Sequence, residues 1–198
     1  MSTISCTKSA SPTPLSELSA RERILRTAHD LFYRDGIRAT GVDKVIAEAG
    51  VTKVTFYRHF PSKNQLILAF LDYRHQRWIN WFADAIHRYG HSPQAILPSM
   101  AEWFNNGSYR GCAFINTVVE LGALFPEALE ISRRHKQDML DVIIQVSPPG
   151  PQLEQEAMAI ALAIDGAIIR AQFDGNAEAA MQALQRILQA LLSTPSVN

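Results

Sequence analysis

Hydrogen-bond donors are concentrated in one short segment that runs from Thr52 to His59. Its sequence, TKVTFYRH, holds two hydroxyls, a phenol, an ammonium, a guanidinium and an imidazole. Side chains of these types donate to phosphate oxygens and to base edges in the major groove of duplex DNA. The segment therefore predicts nucleic-acid binding, provided that a single helix presents these donors together.

A turn centred on Gly50 joins this segment to a short helix before it. The run Thr40-Gly-Val-Asp43 has the pattern of a capping box, which predicts that the first helix opens there and ends near Ala49. Gly50 supplies the positive φ that a tight turn needs. The apolar residues placed to pack the two helices together are Val45, Ala49, Val51 and Phe56. The spacing alone fits both a DNA-binding helix-turn-helix and a plain helical hairpin with a solvated polar face.

The charges of the chain are unevenly distributed, although its formal net charge is zero. Residues 1–70 carry ten basic and six acidic side chains, a net charge of +4, and residues 71–198 carry nine and thirteen, a net charge of −4. A basic N-terminal third on a neutral chain is typical of a protein in which one face meets a polyanion.

A longer pattern surrounds the turn and decides between the two interpretations. Its positions here are Phe32, Gly36, Thr40, Val42, Ala49, Gly50, Val51, Thr52, Thr55, Tyr57, His59, Phe60, Ser62 and Lys63. This pattern closely resembles that of the TetR family of bacterial repressors. Two residues depart from it: Val54 stands where glycine is frequent, and Ile46 stands where alanine is usual. The rest of the chain matches the family only in its length and its helical character.

The resemblance implies roles for particular residues. The last two long helices are expected at a homodimer interface. Contacts to double-stranded operator DNA are expected from Thr40, Thr52, Lys53, Thr55, Tyr57, His59 and Lys63.

Helical signals dominate the whole chain, which predicts an all-α fold. Ser19-Ala-Arg-Glu22 is a second capping box, and Gly36 is placed to end the helix that it opens. We predict a disordered tail over 1–18, a three-helix helix-turn-helix domain over 19–65, and a helical ligand-binding and dimerisation bundle over 66–198. The fourth helix is predicted to run from Ser62 to Tyr89, and later helices over 93–106, 112–124, 127–146, 151–174 and 177–192.

Aromatic residues in the C-terminal bundle suggest a pocket for a small molecule, because such pockets are mostly apolar with a few polar anchors. Any one of these residues is more simply explained as core. The predicted ligand-binding residues are Trp78, Phe82, Trp103, Phe114, Asn116 and Glu120, with His75 and Asp165 as further candidate anchors.

Three other features have plain explanations. Asp165 interrupts an apolar run, so we expect it to pair with an arginine such as Arg170 across a dimer. Cys112 begins a helix beside an arginine, which can activate a thiol, yet a buried and inert cysteine is the simpler interpretation. The run Asp84-x-x-His87-x-x-x-His91 has the spacing of metal ligands, but a polar surface explains it better.

The sequence thus favours a ligand-responsive transcriptional regulator, a repressor that a small-molecule inducer releases from a palindromic operator. A constitutive or Cys112-based redox regulator is the alternative, and a small all-α enzyme a weaker one. We predict no catalytic residue, no metal and no cofactor, because no catalytic motif is present. The chain has no signal peptide and no apolar run long enough for a membrane span, so a cytoplasmic location is expected.

Overall fold

The computed structural model of the chain describes residues 17–193, with the side chains of Ala123 and Ser193 excepted. This part is helical and contains no β-strand, so the predicted all-α class is confirmed. The helices are α1 (Ala20–Asp35), α2 (Val42–Glu48), α3 (Lys53–His59), α4 (Lys63–Arg88), α5 (Ile96–Phe104), α6 (Ala113–Leu121), α7 (Pro126–Val146), α8 (Leu153–Asp174) and α9 (Glu178–Ser193). The predicted tail lies outside the described residues, apart from its last two positions.

Local sequence signals explain how several helices begin and end. The Ser19 hydroxyl accepts from the backbone N–H of Glu22 at 3.3 Å, and the Glu22 carboxylate accepts from the backbone N–H of Ser19 at 3.1 Å. The predicted capping box is thus confirmed, and it satisfies N–H groups that have no partner inside the helix. Gly36 follows α1 with φ of 88°, a conformation that glycine adopts without strain.

The capping box predicted at Thr40 is wrong. Gly41 is the N-cap of α2, and no side chain caps this helix. The Thr40 side chain is instead turned inward and is fully buried, and its hydroxyl donates to the carbonyl oxygen of Gly36 at 2.8 Å. A threonine hydroxyl commonly bonds the carbonyl four residues earlier instead of capping the helix that follows. Thr40 therefore closes the turn between α1 and α2.

Helix α4 connects the two ends of the molecule. It packs on α1 of the N-terminal part and on α5, α6 and α7 of the bundle. Helices α7, α8 and α9 complete the bundle, with α8 packed along both of its neighbours. The domain boundary that we predicted at 65/66 lies inside α4, which continues without a break from Lys63 to Arg88. The division into two functional domains stays a prediction, and this helix belongs to both.

Two buried histidines sit among the aromatic residues of the bundle. His135 is 2% exposed and stacks on Phe114 with ring centroids 3.7 Å apart. The Nδ1 atoms of His75 and His135 are 3.3 Å apart, and His75 Nε2 lies 3.2 Å from Asp138. Since a carboxylate only accepts, we assign the His75 proton to Nε2, so that His135 donates to His75. Burial lowers the pKa of His135 to about 2, with the nearby Lys136 adding to the effect, and burial also lowers the pKa of His75.

These pKa shifts predict that acid destabilises the fold. Below the ordinary histidine pKa, the unfolded chain binds a proton that neutral His135 in the folded chain does not. This one residue therefore lowers the free energy of unfolding by about 2 kcal/mol between pH 6.5 and pH 5. Urea unfolding at pH 7 and pH 5 should show a smaller acid loss in His135→Gln than in the parent. His87 is exposed, so His87→Gln should lose as much stability in acid as the parent. Equal losses of stability in all three proteins would contradict the neutral state assigned to His135.

Candidate nucleic-acid interface and cavities

Helix α3 is held by one face and exposes the other. Phe56 is completely buried against the N-terminal core, together with Val45 and Ala49 from α2. Gly50 has φ of 62°, which allows the tight turn between the two helices. The residues predicted to pack α2 on α3 are thus buried, except that Val51 is half-buried. This geometry is a helix-turn-helix.

The exposed face of α3 carries most of the predicted DNA contacts. Thr52 caps the helix by accepting from the backbone N–H of Thr55 at 3.1 Å, and the two hydroxyls are 2.9 Å apart. The surface is completed by exposed or half-buried side chains of Lys53, Val54, Tyr57, Arg58 and His59. Arg58 was among the donors of the segment but not among the contacts implied by family resemblance. Its exposure and its position four residues after Val54 place it on the same face.

Two of the predicted contact residues are engaged elsewhere. Thr40 is fully buried, so its side chain does not reach the α3 surface. Lys63 is half-buried, and its ammonium donates to the carbonyl oxygen of Ile37 at 2.6 Å. Burial also lowers the pKa of Lys63. Both residues brace the turn over residues 36–40: Thr40 bonds a carbonyl four residues earlier, whereas Lys63 bonds one 26 residues away, which no local motif reveals.

The same turn is held from the C-terminal bundle by α6. The Glu120 carboxylate accepts from the backbone N–H of Arg38 at 2.9 Å. A Cβ atom at Gly36 would lie 3.2 Å from Glu120 Oε1, so a side chain there would crowd the carboxylate. Glu120 was predicted to bind a ligand, and the structure places it at the contact between the two halves of the molecule.

The other predicted ligand-binding residues fall into two separate groups. Trp78 packs against Phe82 and Trp103, with ring centroids 4.8 and 5.7 Å away, and these residues are buried together with Phe114. Asn116 and Glu120 line an open cleft of about 810 Å³ between α1, α6 and the end of α8. The structure therefore does not bring the six residues into one pocket.

Two further cavities adjoin Lys136. The first is an interior cavity of about 10 Å³, enough for about one water molecule. The second is an open apolar groove of about 490 Å³ between α6, α7 and α8. The interior cavity is lined by Arg74, Trp78, Trp103, Cys112, Ala113, Phe114, His135, Lys136, Met139 and Ile168, and the groove shares Phe114, Lys136 and Met139 with it.

The pairing predicted for Asp165 is wrong. Its carboxylate accepts from Lys136 of the same chain at 2.5 Å, and Arg170 instead binds Asp174 at 2.7 Å, one turn further along α8. An i, i+4 partner on the same helix is available to Arg170 without dimerisation. Lys136 Nζ also lies 3.7 Å from the buried sulfur of Cys112.

No group of three metal-ligating side chains occurs within residues 17–193. Asp84, the first residue of the suggested metal spacing, binds Arg88 at 2.8 Å. Over the same described range, no helix is long and apolar enough to cross a membrane.

Comparison with known proteins agrees with this architecture. Residues 24–70 match the family of bacterial regulatory proteins described as the tetR family. A TetR-family transcriptional regulator from Streptomyces coelicolor is 29% identical, with a TM-score of 0.74 over 87% of this chain and 95% of that one. This chain is thus similar to tetR-family regulators in sequence over residues 24–70, and to a TetR-family regulator in fold over most of its length.

Curated relatives extend the similarity to HTH-type transcriptional regulators. An uncharacterised HTH-type transcriptional regulator from Lactococcus lactis subsp. lactis is 31% identical over 54% of this chain and 57% of its own length. The HTH-type regulator YerO of Bacillus subtilis (strain 168) is 40% identical over 27% of this chain and 18% of its own. The chain thus spans little more than half, or less, of the curated relatives that it matches. These relatives and the Streptomyces protein are transcriptional regulators.

The position of Lys63 leads to a prediction about stability. Lys63→Met leaves the Ile37 carbonyl without its donor, and an unsatisfied, partly buried acceptor costs about 1–2 kcal/mol. Lys53→Met is the matched control, because Lys53 is exposed and makes only a 3.8 Å ion pair with Asp43. Urea unfolding of the two variants measures the difference. Equal stabilities would show that Lys63 does not brace the turn.

Proposed function

We propose that the chain is a DNA-binding transcriptional regulator, a repressor that a small-molecule inducer releases from its operator. The observation that supports DNA binding most directly is the exposed donor face of α3, fixed by the buried Phe56 on its opposite side. In this proposal α3 enters the major groove, and Thr52, Lys53, Thr55, Tyr57 and His59 contact phosphates and base edges. Arg58 joins them, because it is exposed on the same helix. Thr40 and Lys63 position the turn and do not form part of the proposed contact set.

We further propose that the regulator is a homodimer formed through α8 and α9. Apolar side chains remain exposed along these helices: Met158 is 46% exposed, Leu162 65% and Phe173 82% on α8, and Ile187 42% on α9. Met158, Leu162 and Phe173 are separated by multiples of about 3.6 residues and so follow one face of the helix. A contiguous apolar face of this kind marks an interaction surface. A two-fold dimer would let two α3 helices read two half-sites of a palindrome.

Release by an inducer requires a physical link between the bundle and α3. Glu120 supplies one, because it joins α6 to the backbone of Arg38 just before α2. Tyr33 supplies another: its hydroxyl donates to the carbonyl of Gly111 at 2.8 Å and accepts from the N–H of Arg110 at 2.9 Å. A ligand that moves α6 or the loop before it would therefore move α1 and the turn after it.

The DNA-binding proposal predicts which variants lose affinity. Selection of bound fragments from random duplex DNA should yield a two-fold symmetric sequence. On that fragment, Lys53→Met should flatten the dependence of log affinity on log salt by about one unit if Lys53 binds a phosphate. Tyr57→Phe should weaken binding to all sequences about equally. Glu48→Gln, exposed at the end of α2, serves as a control variant. Failure to enrich any sequence, or parent-like binding by both α3 variants, would contradict the proposed docking.

The dimer proposal predicts an effect of charge on α8. The parent should elute in size exclusion with light scattering at twice the 22.1 kDa chain mass. Leu162→Glu would bury carboxylates in the interface, so it should dissociate the dimer, whereas Val54→Glu on the exposed face of α3, far from α8 in the chain, should not. A monomeric parent, or a dimer that Leu162→Glu leaves intact, would rule out this interface.

A further inference from the structure

One apolar side chain stands among the donors on the exposed face of α3. Val54 is 70% exposed, and its neighbours on the helix surface, Tyr57 and Arg58, are exposed as well. Residues three and four positions apart lie side by side on a helix, so these three side chains share one surface. The contacts proposed above leave Val54 without a role, because its side chain neither donates nor accepts a hydrogen bond.

The polar side chains around Val54 have partners within the chain. The hydroxyls of Thr52 and Thr55 are 2.9 Å apart, and the Lys53 ammonium lies 3.8 Å from the Asp43 carboxylate of α2. Phe56 is completely buried on the opposite side of the helix. The methyl groups of Val54 are therefore open to any surface that α3 approaches.

The position of Val54 along α3 places it close to that surface. It is the second residue of the helix, directly after Lys53. In helix-turn-helix proteins the N-terminal residues of the second helix contact base edges in the major groove. An apolar side chain at this position would thus face a base edge rather than a phosphate.

The major groove offers such a side chain one kind of partner. Base edges there present acceptors, amino donors and a single type of apolar group, the C5 methyl of thymine. A valine against a polar edge removes water from that edge without replacing its hydrogen bonds, which costs free energy. A valine against the thymine methyl buries apolar surface on both sides. The chemistry of Val54 is therefore complementary to the methyl group.

We propose that Val54 is a specificity-determining residue, which selects a thymine in each half-site through contact of its methyl groups with the C5 methyl of that base. The assignment rests on the proposed function and deepens it, since it names a chemical feature of the operator. It also extends to 5-methylcytosine, which carries a methyl group at the same ring position. Deoxyuridine lacks only this methyl group and should be discriminated against.

The first test removes the methyl group from the DNA. A duplex selected by the parent from random DNA is resynthesised with deoxyuridine in place of one thymine per half-site, taking each thymine in turn, and the full chain is titrated by fluorescence anisotropy. At one position, the loss of a buried methyl group should weaken binding by the parent about fourfold per half-site, and about fifteenfold when both half-sites are changed.

The second test removes the contact from the protein. Val54→Ala withdraws two methyl groups, so at the same position it should reduce the ratio of thymine to deoxyuridine affinity to less than about twofold in total. Urea unfolding should show parent-like stability for this variant, because Val54 is exposed. Val119→Ala is the matched control: Val119 is 80% exposed on α6, and its loss should leave the parent's ratio unchanged.

A third duplex separates the methyl group from the rest of the base pair. The same T·A pair is replaced by C·G or by 5-methylcytosine·G. Methylation of the cytosine should raise the affinity of the parent about fourfold per half-site and should leave that of Val54→Ala nearly unchanged.

The outcomes distinguish this role from DNA binding itself. If selection enriches no sequence, the proposed function is wrong and the role of Val54 with it. If a sequence is enriched but deoxyuridine weakens binding at no position, DNA binding stands and Val54 does not select thymine. The same conclusion follows if Val54→Ala keeps the parent's ratio, because the methyl group then acts through another residue or through the shape of the DNA.

Discussion

The turn over residues 36–40 is held by hydrogen bonds from both halves of this molecule. Within five residues, the carbonyl of Gly36 accepts from Thr40, the carbonyl of Ile37 accepts from Lys63, and the N–H of Arg38 donates to Glu120. One residue of the turn itself, one of α4 and one of α6 thus satisfy backbone groups between α1 and α2. Since unpaired backbone groups are costly when buried, the position of α2, and with it α3, depends on these contacts.

In the C-terminal bundle, a densely packed aromatic cluster lies next to partly buried charged side chains. Its aromatic residues pack at ring distances of 3.7 to 6.5 Å around His75 and His135, both held neutral by burial. Two cations lie beside this cluster: Lys136 is paired with Asp165, whereas the partly buried Arg74 contacts the Tyr33 ring and His29. Native proteins tend to keep such locally unfavourable arrangements at functional sites and to offset them elsewhere. The dense aromatic packing stabilises this bundle and can offset the free-energy cost of a partly buried charge.

The sequence was most informative where the signal was local. The helical class, the Ser19–Glu22 capping box, the turn at Gly50 and the packing of Phe56 all follow from residues close together in the chain. Two predictions failed for different reasons: Thr40 bonds a competing local acceptor, the Gly36 carbonyl four residues earlier, whereas Asp165 pairs with Lys136, 29 residues away. The six predicted ligand-binding residues lie in two groups, because helical periodicity tells which residues face inward but not which helices are neighbours. Arg74 carries no sequence motif, and only the fold shows that it contacts α1 and the cavity together.

Because α4 is one unbroken helix, a small tilt at one of its ends displaces the other end. With a rise of 1.5 Å per residue, the stretch from Trp78 back to Lys63 is about 22 Å long. A tilt of about 5° at the Trp78 end therefore displaces the Lys63 end by about 2 Å. In a two-fold dimer the displacement occurs on both sides, so the separation of the two α3 helices changes by up to about 4 Å. Half-sites on DNA repeat at about 34 Å. A change of about 4 Å in the separation of the α3 helices exceeds the length of a hydrogen bond, about 3 Å. A change too small to disturb the bundle can thus be decisive at the DNA.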